Sequence, residues 1–339
     1  MSNPEYLMAA AITSFAVTYV LMPQWIKVAV RRGFVGRDMN KLGDNYVAEG
    51  GGLWAVVGCV FGLYVLASLY RYLGNEPTYS DELFALTSLL LLTALLGFMD
   101  DVLGWKKGLP AWLRVAFIAP ISIPLIVIKA GYSKLSIPFI GVVDLGIIYP
   151  LVAVPVGVLG AANAFNMIAG YNGLEVGMGL TLMAFTAIYS LIKGIDLVPQ
   201  ASLIMASSLM AFARFNWYPA KVFPGNTLTY AVGAYYASIV VLGNMEKFGI
   251  SLFTLYFIEF LLFIRGLKDG VYKENFGVPR PDNSLDEPYD RVYSLTHLSI
   301  KLLKCLGIKP TEPKVTLTLI SLQVMVGLIA LTVNALGMI

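Results

Sequence analysis

Two adjacent acids, Asp100 and Asp101, stand at the end of an uncharged apolar segment, residues 83–99, and Lys106 and Lys107 follow shortly after them. Adjacent carboxylates repel each other, and ionising both where water is scarce costs free energy unless a cation lies nearby. A divalent metal, Lys107 or a bound cationic group could offset that cost. Acids at a helix C-terminus are also disfavoured by the helix dipole. The pair therefore favours a chemical role, with two acids reaching into the lipid headgroup region as the alternative.

A second polar cluster reads NAFNMIAGYNGLE, residues 163–175. Asn163 and Asn166 are three residues apart and so share one face of a helix, and glycines on both sides of Asn172 favour a tight turn. Amide groups can ligate a hard metal through oxygen or pair with the edge of a heterocycle. The alternative is hydrogen bonding between helices, which is common for asparagine in membranes.

A third candidate is Asn226, in the stretch FNWYPAKVFPGNT (215–227), where a Pro-Gly turn places it at the start of the next apolar segment. Its alternative role is that of a helix N-cap.

Cations concentrate after residue 264, and four of them could clamp phosphates: Arg265, Lys268, Lys273 and Arg280. Residues 291–308 have the pattern of an amphipathic helix that lies on a bilayer. This segment contains His297, the only histidine of the chain, for which we expect a structural role.

The composition shows what must position these residues. Of the 339 residues, 58% are hydrophobic and 13% are charged, whereas soluble domains carry about 25% charged residues. A membrane-spanning helix needs roughly 20 mostly apolar residues. We therefore predict an all-α polytopic membrane protein, a single domain over 1–339, with a loop at 267–314. The predicted spans are ten: about 5–26, 51–70, 82–99, 111–129, 147–164, 174–193, 198–215, 227–245, 248–266 and 315–337.

The distribution of Lys and Arg sets the predicted orientation. Nineteen of the 24 lie in or beside the odd-numbered loops between these spans, and cytoplasmic loops are the ones enriched in Lys and Arg. Both termini are then outside, and the three polar clusters face the cytoplasm. A short hairpin at 134–146 would cap the outer side.

One membrane face thus offers adjacent acids, clustered amides and cations. These groups suit a phosphate-rich substrate carrying Mg2+, because Mg2+ is usually held by one or two protein oxygens together with substrate phosphates.

In this order, DDVLGWKKGLP, NAFNMIAGYNGLEVG and NWYPAKVFPGNT resemble the polyprenyl-phosphate N-acetylhexosamine-1-phosphate transferases. GRDMNK (36–41) and the glutamate of VAEGGGL are similar to the branch that makes dolichyl-diphosphate-linked N-acetylglucosamine, the first step of protein N-glycosylation, and the short loops indicate an archaeal-type member. The resemblance implies transfer of a sugar-1-phosphate from a UDP-sugar to a dolichyl or other polyprenyl phosphate, with release of UMP.

For the reacting groups, the resemblance implies that Asp100 and Asp101 lie on the lipid-phosphate side, one orienting or deprotonating the acceptor and both near Mg2+. Lys107 would hold a phosphate. Asn166 would ligate Mg2+, or Mn2+ in its place, with Asn163 in support.

For the nucleotide, the resemblance implies that Asn172 reads the uracil and that Glu49 contacts the nucleoside. Lys268 and Arg280 would bind the diphosphate and sugar. No nucleic acid partner is expected, whereas a homodimer in the cell membrane is compatible with the resemblance.

The sequence departs from the family pattern at two places. The position of Asn226 is usually an aspartate that ligates the metal, and an asparagine oxygen can coordinate only without the charge. The last cytoplasmic loop usually carries an Arg- and His-rich motif, but here it reads ENFGVPRPDNS and retains Arg280.

The rival hypothesis is an ion-coupled transporter, since acids within the membrane and helices broken by Gly or Pro also suit that class. It predicts paired broken helices in two halves of the sequence, and neither DDVLG nor NAFN recurs.

Overall fold

The computed structural model describes residues 3–74, 79–103, 117, 120–137 and 141–335, and they are predominantly helical. The helices are α1 (Pro4–Arg32), α2 (Gly52–Leu73), α3 (Ser80–Leu103), a short α4 (Ile123–Val127), α5 (Val154–Met167), α6 (Leu174–Ile192), α7 (Leu197–Asn216), α8 (Gly225–Leu242), α9 (Glu246–Leu252), α10 (Thr254–Lys268), α11 (Leu295–Cys305) and α12 (Glu312–Ala335). A π-helical turn, Tyr149–Ala153, leads into α5.

Within the described residues, three antiparallel strand pairs connect these helices. β1 (Val35–Arg37) pairs with β2 (Tyr46–Ala48), β3 (Lys134–Ile137) with β4 (Gly141–Asp144), and β5 (Val278–Pro279) with β6 (Leu285–Asp286). The β3–β4 pair confirms the predicted hairpin.

Seven helices in the described part of the chain are long and apolar enough to cross a membrane: α1, α2, α3, the segment Tyr149–Met167, α6, α7 and α12. The pair α9–α10 adds an eighth if its two helices form one bent span. This number is consistent with a polytopic membrane protein. The first part of the predicted span at 111–129 lies outside the described residues, and the short α4 lies in its second part.

The predicted span at 248–266 corresponds to α9 and α10, which are bent by 57° relative to each other. The break lies at Phe253, whose ring stacks on Tyr256 with centroids 4.0 Å apart. Tyr236 of α8 also stacks on the Phe253 ring, with centroids 5.2 Å apart.

The predicted span at 227–245 corresponds to α8, which is not among the seven apolar helices. Every residue from Thr227 to Val241 is buried, so α8 lies within the bundle. A helix enclosed by protein does not need a lipid-facing apolar surface. This explains why its sequence is rich in Thr, Tyr and Gly.

Glycines bring α3 and α5 close to α8. A Cβ at Gly97 of α3 would lie 2.6 Å from the Thr227 Cα, and one at Gly233 of α8 would lie 2.4 Å from the Ala161 carbonyl oxygen of α5. Small residues permit such close approach of helices in membranes. The ends of α3 and α5 are thereby held beside the start of α8.

The amphipathic helix predicted at 291–308 is shorter, extending over α11. It begins after Ser294, whose hydroxyl caps it by accepting from the Thr296 N–H. It ends before Gly307, which has a left-handed φ of 69°.

Candidate functional site

Asp101 lies at the C-terminal end of α3 and binds the first turn of α8. Its carboxylate accepts hydrogen bonds from the Asn226 N–H at 2.7 Å, the Thr227 N–H at 3.1 Å and the Thr227 hydroxyl at 2.6 Å. The first N–H groups of a helix have no partner within the helix and carry partial positive charge. Asp101 therefore fixes the start of α8 against α3.

Gly225 is required for this contact. Its φ is +68°, and a Cβ there would lie 2.3 Å from Asp101 Oδ2. Glycine both adopts the left-handed conformation readily and leaves room for the carboxylate.

Asp100 is buried beside Asp101 and faces the Asn226 side chain. Asn226 Nδ2 donates to Asp100 Oδ2 at 2.9 Å. The two adjacent acids thus meet different parts of one residue, since Asp101 binds the Asn226 backbone and Asp100 binds its amide.

Asn166, in the last turn of α5, is connected to the same cluster through Thr229. The Thr229 hydroxyl donates to Asn166 Oδ1 at 2.7 Å and also contacts the Asn226 carbonyl oxygen at 3.3 Å. Asn163, one turn earlier, donates to the Leu159 carbonyl at 2.9 Å. The structure therefore brings together Asp100, Asp101, Asn166 and Asn226 from three helices.

Thr227 and Thr229 are the two members of this cluster that the sequence analysis missed. They lie one and three residues after Asn226, in the stretch PGNTLT. The i, i+3 spacing of Asn226 and Thr229 on one helix face could have indicated a shared surface.

Glu49 directly follows β2 and lies near this cluster. Ala48 pairs in parallel with Val222, and Gly51 donates to the Phe223 carbonyl at 3.0 Å. The Glu49 side chain packs on Gly36, where a Cβ would lie 2.1 Å from Oε1. Burial raises the pKa of Glu49.

Asn172 is buried and its amide makes several contacts within the protein. Its Oδ1 accepts from Lys41 Nζ at 3.1 Å and from the Ala220 N–H at 2.7 Å, and its Nδ2 donates to Asp38 Oδ2 at 3.2 Å. Its backbone N–H donates to Glu312 Oε1 at 2.8 Å. Asn172 therefore joins three loops to the start of α12.

The cations of the last loop differ in their partners. Arg280 is exposed and pairs with Asp286, and Lys268 is exposed at the end of α10. Lys273 is instead buried against Glu259 of α10, which balances its charge within the protein.

His297 is buried in α11 and its Nε2 lies 3.0 Å from the Glu274 carbonyl oxygen. Burial, reinforced by the positive charge of Lys273, lowers the pKa of His297 to about 4. The imidazole is therefore neutral near pH 7, as a structural histidine would be. Lys107, predicted to hold a phosphate, lies outside the described residues.

The donor atoms near Asp100 suit a hard cation. Among the described residues there is no group of three or more His, Cys, Asp or Glu that could hold a metal. The cluster instead offers one carboxylate, Asp100, and the amide oxygens of Asn166 and Asn226. Mg2+ prefers oxygen ligands and retains several waters or substrate oxygens. The Asn226 amide now directs its nitrogen to Asp100, and the same amide turned over would present its oxygen.

Residues 83–244 match the model of the glycosyl transferase family 4. A Saccharolobus solfataricus protein named "Putative UDP-N-acetylglucosamine--dolichyl-phosphate N-acetylglucosaminephosphotransferase" is 35% identical over 86% of this chain and 87% of its own. A Dictyostelium discoideum protein named "UDP-N-acetylglucosamine--dolichyl-phosphate N-acetylglucosaminephosphotransferase" is 29% identical over 68% of this chain and 65% of its own.

A relative with a different name also matches. A phospho-N-acetylmuramoyl-pentapeptide-transferase from Clostridium botulinum is 30% identical over 76% of this chain and 80% of its own. The matched family segment contains the Asp100, Asn166 and Asn226 cluster, and the relatives extend the similarity over most of the chain. This chain therefore belongs to the glycosyl transferase family 4.

Proposed function

We propose that this protein transfers N-acetylglucosamine-1-phosphate from UDP-N-acetylglucosamine to a dolichyl-type polyprenyl phosphate, releasing UMP. The product, a lipid-diphosphate-linked sugar, would start protein N-glycosylation. The observation that carries the proposal is the meeting of Asp100, Asn166 and Asn226 at the ends of three packed helices, inside the matched family segment. The names of the relatives support the substrates, and the comparisons give no support to a transporter.

The chemical step is a displacement at phosphorus. An oxygen of the lipid phosphate attacks the sugar-bearing phosphorus of the UDP-sugar. The bond from that phosphorus to the bridging oxygen breaks, and the electron pair leaves with UMP. Because a phosphate monoester is largely dianionic above pH about 6, the acceptor needs little deprotonation. Positioning of the two phosphates is then most of what the protein contributes.

The two acids have different roles in this proposal. Asp101 is committed to the first turn of α8, so it holds the site together. Asp100 is the carboxylate that orients the acceptor and shares the cation. Glu49, Asn163, Asn172, Lys268 and Arg280 would surround the nucleotide and sugar, and Lys107 would hold a phosphate.

We further propose that Asp100, Asn166 and Asn226 hold Mg2+, or Mn2+ in its place. When bound, the ion would neutralise the charge that develops on the departing UMP phosphate. The chain supplies one formal negative charge in this set, where the family usually has two carboxylates. The affinity for the cation should therefore be lower than in relatives with aspartate at position 226.

Ten spans, with both termini outside and the site at the cytoplasmic face of the cell membrane, complete the proposal. Cys305 is exposed at the end of α11 and Cys59 is buried in α2. A membrane-impermeant maleimide should label Cys305 only after cells are permeabilised, and a Cys305→Ser variant gives the background. Labelling of Cys305 in intact cells would invert the orientation.

The function is tested with purified protein in detergent. UMP release is measured with UDP-N-acetylglucosamine, dolichyl phosphate and Mg2+, and each component is omitted in turn. We expect release that requires all three and that falls at least a hundredfold in Asp100→Asn. Folded protein that releases no UMP from any UDP-N-acetylhexosamine would contradict the proposal.

A further inference from the structure

The helix that presents Asn166 ends in contacts with a distant segment. α5 stops at Met167, and the last carbonyls of a helix have no partner within it. Asn275 supplies partners here, because its Nδ2 donates to the Met167 carbonyl at 2.8 Å and to the Ala169 carbonyl at 2.7 Å. Lys273 Nζ also donates to the Met167 carbonyl, at 3.3 Å. One short segment thus binds the carbonyls one and three residues after Asn166.

Asn275 is itself held at both ends. Its Oδ1 accepts from Lys273 Nζ at 2.7 Å, and its backbone carbonyl accepts from the Thr296 hydroxyl at 2.7 Å. The amide therefore has a fixed orientation, in which both of its donors face the end of α5.

Lys273 is buried and balanced by Glu259 of α10. The Lys273 side chain is 5% exposed and that of Glu259 is 0% exposed. The other oxygen of Glu259 accepts from the Leu295 N–H at 2.7 Å and from the Ser294 hydroxyl at 3.2 Å, at the start of α11. The group Glu259, Lys273 and Asn275, here called the α5 clamp, connects α10 and α11 to the end of α5.

A buried ion pair is a poor way to gain stability, because removing two charges from water offsets much of their attraction. Apolar residues of similar size would serve packing as well or better. The clamp does something that apolar residues cannot do, since it supplies directional donors to the carbonyls next to Asn166. Its geometry therefore points to a positioning role.

We infer that Glu259, Lys273 and Asn275 are positioning residues that fix the Asn166 amide relative to Asp100 and Asn226, and so set the affinity of the site for its divalent cation. This inference rests on the proposed function. It assigns the stretch ENFGVPRPDNS of the last loop a task in the reaction although that stretch has no histidine. It also assigns Lys273 to the protein framework, where the sequence had suggested a phosphate clamp.

The experiment measures Mn2+ binding to purified protein by electron paramagnetic resonance, without substrates, so that its readout is independent of turnover. The variants are Asn275→Ala, Lys273→Met and Glu259→Gln, with Asn275→Ser as the conservative variant that retains one donor. Lys301→Met is the control, because Lys301 is an exposed lysine of α11 outside the site. Thermal melting establishes that each variant is folded.

We expect the dissociation constant for Mn2+ to rise about tenfold in Asn275→Ala, less in Asn275→Ser, and not at all in Lys301→Met. The KM for dolichyl phosphate should stay within twofold while the Mg2+ concentration for half-maximal UMP release rises with the Mn2+ constant. If Asn275→Ala does not fold, the same criterion applies to Asn275→Ser. A folded variant of these three residues that melts at a lower temperature but binds Mn2+ as tightly as the unaltered protein would overturn the inference. Unaltered protein that binds no Mn2+ would also overturn it. Protein that binds Mn2+ with the expected variant pattern but releases no UMP would refute the proposed function alone.

Discussion

Replacing each of the adjacent acids by asparagine should separate their roles. Asp101 accepts three hydrogen bonds from the first turn of α8, at 2.7, 3.1 and 2.6 Å. An asparagine has one acceptor oxygen, so its NH2 group would face N–H or O–H donors. At least one buried donor of the turn would lose its partner.

The magnitude follows from these bonds. A hydrogen bond to a charged group contributes about 1.5–3 kcal/mol, and a buried donor without a partner costs about 1–3 kcal/mol. Asp101→Asn should therefore destabilise the protein by about 3 kcal/mol. Because the same turn carries Asn226, activity should fall as well.

Asp100→Asn is the matched comparison, since both residues are buried and the change is the same in size and charge. Asp100 faces the Asn226 side chain and not the backbone of α8. An asparagine at position 100 retains an oxygen that can accept from the Asn226 amide, so we expect Asp100→Asn to lose less stability than Asp101→Asn, while UMP release is lost.

The assay pairs thermal melting in detergent with UMP release at saturating Mg2+. The expected pattern is a larger loss of stability in Asp101→Asn and a loss of activity in both variants. An Asp101→Asn protein that melts like the unaltered one would refute the assignment of Asp101 as the anchor of α8. So would an Asp100→Asn protein that is the less stable of the two.

Three further predictions concern the site and its supports. Asn226→Asp should lower the Mg2+ concentration for half-maximal UMP release by about tenfold, because a second carboxylate adds negative charge to the oxygens that hold the cation. A Mg2+ titration of UMP release checks this. An unchanged half-maximal concentration would place Asn226 away from the cation. Gly97→Ala should reduce activity and stability by pressing α3 away from α8. Gly160→Ala on α5, where a Cβ meets nothing within 4 Å, should be neutral or slightly stabilising. Equal effects of the two changes on melting and UMP release would argue against the close contact of α3 with α8. The pKa of His297 is about 4 in the folded protein, against an ordinary value of 6.5. The folded state is therefore fully stable with respect to this group above pH 6.5, and it loses stability as the pH falls toward 4, by about 2 kcal/mol at pH 5. His297→Gln should flatten the fall in melting temperature between pH 7 and pH 5, and an unchanged pH dependence would contradict the assignment.

The sequence predicted the main cluster of the site because each of its members lies near the end or the start of a predicted span. Asp100 closes α3, Asn166 lies in the last turn of α5, and Asn226 opens α8. Residues at the same end of neighbouring membrane helices lie at similar depth, so helix ends alone brought these side chains to one level. The sequence could also identify the β3–β4 hairpin, whose partners are close in the chain.

Partners distant in sequence could not be predicted in this way. In the sequence Asp101 is equivalent to Asp100, whereas in the structure Asp101 accepts hydrogen bonds from the backbone of α8. The sequence does not show that Lys273 pairs with Glu259, because Glu259 lies within the preceding helix, α10. Asn172 similarly gains Glu312 from the start of the last helix. In each case the chemistry of a residue depends on a tertiary contact that local pattern does not encode.

The central claim is that the sugar travels with its phosphate. It is tested by supplying UDP-N-acetylglucosamine labelled with 32P on the sugar-bearing phosphorus, together with dolichyl phosphate and Mg2+, and by separating the lipid from the aqueous products. We expect the label to appear in the lipid, in equal amount to the UMP released, and we expect Asp100→Asn to abolish both. Label that stays in the water phase as UDP while the sugar enters the lipid would contradict the account.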